Sequence, residues 1–214
     1  MAHYMETMNK TNARETLFRH LDGLVTVPVV AALLRNGRVT DLVEKQSADL
    51  ADLAVRYNAN EGYLNVALRV LAAQGYLAYK LDASQDRIAV TATEKTASLL
   101  EHAAIYTDIA QFLPHLAHTS PSVLADELCE NWVAIYRKYR HLLTEISSDA
   151  QLLQLQKHVE GCLFAPLIVR LGMSGMLHNY FMQSSFSAAE FHKNPACFEN
   201  VLLALTDLGW FTHE

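Results

Sequence analysis

Apolar residues recur at every third or fourth position through most of the chain. In "RETLFRHLDGLVTVPVVAALL" (14–34) this spacing predicts helix. Pro28 is expected to open a second short helix there, because a proline at a first helical position gives up an N–H that has no partner anyway. Gly37 ends that helix. "SADLADLAVRYN" (47–58) places a capping serine ahead of a helical pattern, and "NANEGYLNVALRVLAAQGY" (58–76) starts again at Asn60 and stops at Gly75. The pattern then changes period. "YLAYK" and "IAVTAT" are extended runs, and the polar turn "LDASQDR" separates them.

Two helices joined by a turn and followed by a hairpin make a winged helix. Its expected core is Leu33, Leu53, Leu64, Leu68, Leu71 and Leu77, the apolar positions at helical or strand spacing. The same pattern returns near the end. "VPVVAALLRNG" (27–37) aligns with "APLIVRLGMSG" (165–175), Pro28 over Pro166 and Gly37 over Gly175. Leu68, Leu71, Gly75, Tyr76 and Leu77 fall over Leu202, Leu205, Gly209, Trp210 and Phe211. The offset is 138 in the first block and 134 in the second, so four residues are missing between them. The sequence stops at the first strand of the second wing. That arrangement predicts a second unit lacking its return strand, Trp210 and Phe211 only partly covered, and a chain that is a piece of something longer.

Between the copies, "LADELCENWVAIYRKYRHLLTEI" sets Leu128, Trp132, Ile135, Tyr139, Leu142 and Ile146 in alternating steps of four and three, the seam of a helix lying along another helix. The partner is either "DAQLLQLQKHVEG" (149–161), turned back by "SSD", or a second copy of the chain. The expected organisation is mainly α: a tail at 1–13, a winged-helix unit at 14–100, a helical hairpin connector at 101–160 and an incomplete winged-helix-like unit at 161–214.

Composition narrows the function. Of 214 residues, 51% are hydrophobic and the formal charge is −6, so the chain can bury a core and its overall field repels a polyanion. The helix at 60–74 offers only Asn65, Arg69 and Gln74 beyond its cap for reading bases, and "NPACFENVLLALTDL" has no basic residue. In "YRKYR", Tyr136 and Tyr139 belong to or flank the seam, which leaves Arg137, Lys138 and Arg140 as a solvated face. No nucleic-acid partner is expected.

The first residues lack a signal-peptide core, and no stretch reaches the roughly 18 uninterrupted apolar residues of a membrane span. A cytoplasmic protein without a membrane partner is the expectation. Cys129, Cys162 and Cys197 are odd in number and without CxxC spacing, which favours buried thiols. Neither GxGxxG nor GxxxxGK[ST] occurs. His115 and His118 have helix-face spacing but no acidic or cysteine ligand nearby, and Pro114 and Pro121 suggest a loop. No catalytic, cofactor or metal residue is assigned.

"DLADLAVRYNANEGYLNVALRVLAAQGYLAYKLDASQDRIAVTATEKTASLL" resembles the winged-helix lid and dimerisation segment ahead of S-adenosylmethionine-dependent methyltransferase cores. Leu71, Gly75, Tyr76, Leu77 and Thr93 stand at that family's recurring positions, while Lys95 and Thr96 replace its usual glycine. The duplicated arrangement also looks like regions that precede methyltransferase domains in polyketide synthase loading modules. The resemblance implies a non-catalytic lid, dimerisation surface or adaptor. It holds no cofactor and meets adjoining domains of its parent, a methyltransferase core among them, or a second copy. Trp132, Ile135, Tyr139, Trp210 and Phe211 are the expected interaction surface. A winged-helix transcriptional regulator and a free-standing interaction module are the alternatives.

Overall fold

The computed structural model describes residues 4–6, 10–82, 84, 87–117, 126–145, 147–182 and 185–213. In chain order the elements are β1 (Tyr4–Glu6), α1 (Lys10–Arg35), α2 (Arg38–Lys45), β2 (Ser47–Asp49), α3 (Leu50–Arg56), α4 (Glu61–Ala73), β3 (Leu77–Asp82) and β4 (Arg87–Ala92). There follow α5 (Ser98–Glu101), α6 (Ala103–Ala117), α7 (Asp126–Thr144), α8 (Ala150–Met173), α9 (Met176–Met182), α10 (Ala188–Phe191), α11 (Pro195–Asp207) and β5 (Phe211–His213). The fold is mainly helical, and the chain divides into a central unit, Val25–Ala110, and an outer unit of Met1–Leu24 with Gln111–Glu214.

The central unit contains a winged helix. α2, α3 and α4 precede the hairpin β3–β4, and β2 adds to its far side in the order β2-β4-β3, all antiparallel. Asp49 caps α3 by accepting from Ala51 N, and the expected cap Ser47 lies instead in β2. Leu33, Leu53, Leu64, Leu68, Leu71 and Leu77 are all buried, joined by Val39, Leu42, Val90 and Tyr106. The wing's exit is fixed without the usual glycine. The Thr96 hydroxyl donates to Tyr76 O at 2.6 Å, and the Thr93 hydroxyl to Gly75 O at 2.9 Å.

Pro28 does not begin a helix. It lies inside α1, as Pro166 lies inside α8 and Pro114 inside α6. A proline there removes one backbone hydrogen bond and crowds the carbonyl four residues back, at a cost of about 3 kcal/mol. Burial of Val27, Val30, Ala31 and Leu33 around Pro28 offsets it, and Leu163, Phe164, Ala165, Leu167 and Ile168 do the same around Pro166. Among the described residues, α1 over Arg14–Arg35 is also long and apolar enough to cross a membrane. The core helix of a soluble protein passes the same test, and His20, Thr26 and Val27 are buried on this one.

The repeat is written into the backbone. Gly37, Gly75, Gly175 and Gly209 all have φ between 70° and 79°, the left-handed region that glycine enters without strain. Gly37 N donates to Leu34 O and Gly175 N to Gly172 O, an offset of 138. At an offset of 134, Asn60 accepts from Tyr63 N as Asn194 accepts from Cys197 N, and Tyr76 N donates to Leu71 O as Trp210 N donates to Leu205 O. α4 and α11 have 13 residues each. The caps Asp49 and Ser187 still hold the offset of 138, so the four missing residues come out between Ser187 and Asn194, most of them from α10, which has 4 residues where α3 has 7.

The second copy does not leave its strand unpaired. β5 pairs antiparallel with β1, Tyr4 opposite His213 and Glu6 opposite Phe211. Trp210 is 1% exposed and Phe211 2%, and the Phe211 ring stands edge-on to Phe186 at 5.1 Å. The expectation of a partly covered aromatic pair is therefore corrected: an N-terminal strand supplies the pairing that the expectation sought in a missing return strand.

Candidate protein-interaction surface

The helices that a winged helix would lay into a DNA groove are α4 and α11, and their surroundings differ. In the outer unit α7 lies along α11, its N-terminal end beside α11's N-terminal end. Cys129 and Cys197 are joined as a disulfide with Cα atoms 6.3 Å apart, Arg137 donates to the Asn200 side chain at 2.6 Å, and Arg140 Nε donates to Asp207 Oδ2 at 2.8 Å. The Tyr136 hydroxyl also donates to Asp207. Burial works to raise the Asp207 pKa, but the hydrogen bonds from Arg140 and Tyr136 outweigh it and hold the carboxyl below its usual value.

α7 also packs on α8. Trp132 Nε1 donates to Leu163 O at 3.0 Å, and its ring meets Phe164 edge-on at 5.2 Å. The Gln156 amide, reaching from α8, donates to Leu142 O at 2.5 Å and Glu145 O at 2.7 Å, satisfying carbonyls that the end of α7 would otherwise leave open. Both partners of this helix lie in its own chain.

These contacts place the residues expected to form an interaction surface. Trp132, Tyr139, Trp210 and Phe211 are buried within the outer unit, and Ile135 is half-buried. The apolar face they would offer a partner is covered by the chain itself. Ile146, His118 and Pro121 lie outside the described residues, as do the side chains of Leu128 and His115. Pro114 is helical rather than in a loop. The reading of three free thiols fails for two: the parallel packing of α7 on α11 brings together cysteines 68 residues apart, which no local spacing signals, while Cys162 stays free and buried. Among the described residues no group of three or more His, Cys, Asp or Glu side chains could hold a metal ion.

In the central unit the equivalent face is open. Tyr63 is 81% exposed and Val66 60%, with Val70 half-buried and Ala73 exposed along the same side of α4. Val25 and Ala32 of α1 are exposed as well. A groove of about 450 Å³ runs between the two helices, lined by Val29, Ala32, Arg38, Asn60, Tyr63 and Ala67 among others. Of the residues that could read bases, Asn65 is already engaged, accepting from the Tyr79 hydroxyl at 2.7 Å. A face of tyrosine, valine and alanine suits an apolar protein surface better than phosphate or base edges.

The repeat also reaches further back than its glycines and proline suggested. "RHLDG" (19–23) and "KHVEG" (157–161) align at the offset of 138, and they meet where α1 crosses α8 in the outer unit. A Cβ on Gly23 would lie 2.9 Å from Cys162 N and Gly161 Cα, and one on Gly161 would lie 3.0 Å from Gly23 Cα. His20 and His158 are buried there, and Nδ1 of His20 is 3.3 Å from Glu160 Oε1. Burial, with the nearby Arg19 charge for His20 and Lys157 for His158, lowers each histidine's pKa to about 4. These imidazoles belong to a helix crossing.

Comparison with known families gives two matches. Residues 13–79 match the AprA N-terminal domain, and residues 160–214 match the AprA winged helix domain. No curated protein matches the chain. The second copy is thus similar to a winged-helix domain in sequence as well as in its pattern of helices, caps and glycines.

Proposed function

We propose that this chain is a non-catalytic accessory region of a larger methyltransferase-containing enzyme, a polyketide synthase being the favoured parent, in which it acts as lid, adaptor or dimerisation surface. The observation that carries the reading is the α4 face. A winged helix that exposes Tyr63 and Val66 where a DNA reader needs Arg, Lys, Asn or Gln is suited to meeting protein. The similarity to two AprA domains supports an accessory role. A region of this kind contributes apolar walls and excludes water while a neighbouring core holds the methyl donor. The site of action is then cytoplasmic, with adjoining domains as partners.

Calorimetric titration of the isolated chain with S-adenosylmethionine tests the first half of the reading, and no binding is expected below about 1 mM. The second half is tested by the coding sequence beyond Glu214, expected to carry a glycine-rich methyl-donor loop. A tight complex between this chain alone and S-adenosylmethionine would refute the accessory role. A continuation without a methyltransferase core would refute the parent.

A further inference from the structure

The two copies of the repeat act as controls for one another. In the second, Cys197 and Ala204 on the α7-facing side of α11 are buried and Asn200 is half-buried. Asn200 and the exposed Asp207 are hydrogen-bonded by Arg137 and Arg140 of α7, which also packs on α8. At the offset of 134 those four positions, in chain order, become Tyr63, Val66, Val70 and Ala73 of α4. At 138 Leu163, which accepts from Trp132, becomes Val25, and it is wholly buried where Val25 is 49% exposed. Among the described residues no helix is laid on Tyr63 and Val66, which stay exposed. The fold that packs a helix on one face has left its twin open.

We propose that the groove between α1 and α4 of the central unit is the docking site for an amphipathic helix of another polypeptide, lying parallel to α4 as α7 lies parallel to α11. The chemistry of the occupant follows from what differs between the copies. Asn200 and Asp207 take Arg137 and Arg140, whereas Val66 and Ala73 can take only apolar side chains at those two rungs. The incoming helix therefore carries Leu, Met or Val where α7 carries arginine. Toward its N-terminal end it also carries a carboxylate. Arg38 lines the groove with its guanidinium over the Tyr57 ring, a cation that a glutamate on the incoming helix would pair with. In the second copy Glu130 of α7 lines a recess with Asn194, the counterpart of Asn60, which lines the groove with Arg38. The inference does not depend on what the parent enzyme does, since it rests on the repeat and on the groove alone.

The probe is a fluorescein-labelled 19-residue peptide with the sequence of Asp126–Thr144, carrying Cys129→Ala, Arg137→Leu and Arg140→Leu. Its binding to the whole chain is read by fluorescence anisotropy. Saturable binding in the micromolar range is expected, weakened at least about tenfold by Val66→Glu, which is ~1.4 kcal/mol of affinity. Circular dichroism of Val66→Glu, changed at an exposed position, confirms that the variant is folded, and Tyr63→Glu gives an independent second lesion on the same face. Val66→Glu and Tyr63→Glu binding the peptide as well as the unmodified chain would overturn the proposal. So would the absence of saturable binding below about 1 mM. Sedimentation of the chain alone separates the remaining occupant: a dimer that Val66→Glu dissociates would assign the groove to a second copy and overturn the assignment to another polypeptide.

Discussion

Replacing Gly161 by alanine in the middle of α8 should destabilise the protein, although the same change in an open helix does the opposite. Alanine is favoured over glycine inside a helix by about 1 kcal/mol. Gly172, in the last turns of the same helix, provides that baseline, because its added Cβ would meet nothing closer than the Leu177 methyl at 3.7 Å. At Gly161 the new Cβ would run into the His20 carbonyl oxygen and stand 3.0 Å from the Gly23 Cα. Both obstacles are backbone, so no rotamer change relieves them. α1 and α8 must move apart by about 1 Å, which weakens dispersion contacts by a quarter to a half along the crossing. Overpacking of this kind costs about 1–3 kcal/mol, and the rigid obstacles favour the upper end. After subtracting the helix preference, Gly161→Ala should lose about 2 kcal/mol and Gly172→Ala should gain up to about 1. Urea denaturation followed by circular dichroism gives both values. If Gly161→Ala proved as stable as Gly172→Ala, α1 and α8 would not cross at Gly23 and Gly161, and the two-fold relation of "RHLDG" and "KHVEG" would fail.

Leu71→Ala should cost about 2–5 kcal/mol, the usual loss for truncating a fully buried leucine, and a loss under about half a kcal/mol in chemical denaturation would place Leu71 on the surface. Trp132→Asp should abolish the cooperative unfolding transition, because it puts an unpaired carboxylate against Phe164; a folded variant of unchanged mass in sedimentation would contradict the packing of α7. His20 and His158 give a pH dependence with a definite sign. Each imidazole has a folded pKa of about 4 against 6.5 when free, so the unfolded chain binds more protons between these values. Their contribution is complete above about pH 6.5 and falls toward pH 4, with a slope approaching 1.4 kcal/mol per pH unit for each histidine, and a urea midpoint that stays flat from pH 6.5 to 4.5 would refute their buried, neutral state.

The repeat was legible in the sequence because its markers are local. Gly75 and Gly209 enter a left-handed conformation that other residues resist, and Asn60 and Asn194 accept from the backbone three residues on. What the sequence hid depends on contacts between distant segments. Nothing near Phe211 announces that Tyr4–Glu6 will pair with it. Pro28 reads as a helix start because local rules price the lost hydrogen bond but not the burial around it. Cys129 and Cys197 are paired by the direction in which α7 runs along α11. The histidine-glycine motifs were within reach: carrying the offset of 138 back by seven residues from Val27 and Ala165 reaches His20 and His158. The open groove was not, since Tyr63 and Val66 look like ordinary members of a helix until Cys197 and Asn200 are seen bonded to α7.

The measurement that decides most directly between a protein-facing module and a DNA-binding regulator is the affinity of the whole chain for duplex DNA, read by anisotropy at physiological salt. With an acidic chain and an α4 face of tyrosine and valine, binding should be no tighter than the non-specific range of about 0.1 mM and should not depend on sequence. Submicromolar, sequence-dependent binding would contradict the account and make α4 a reader of bases.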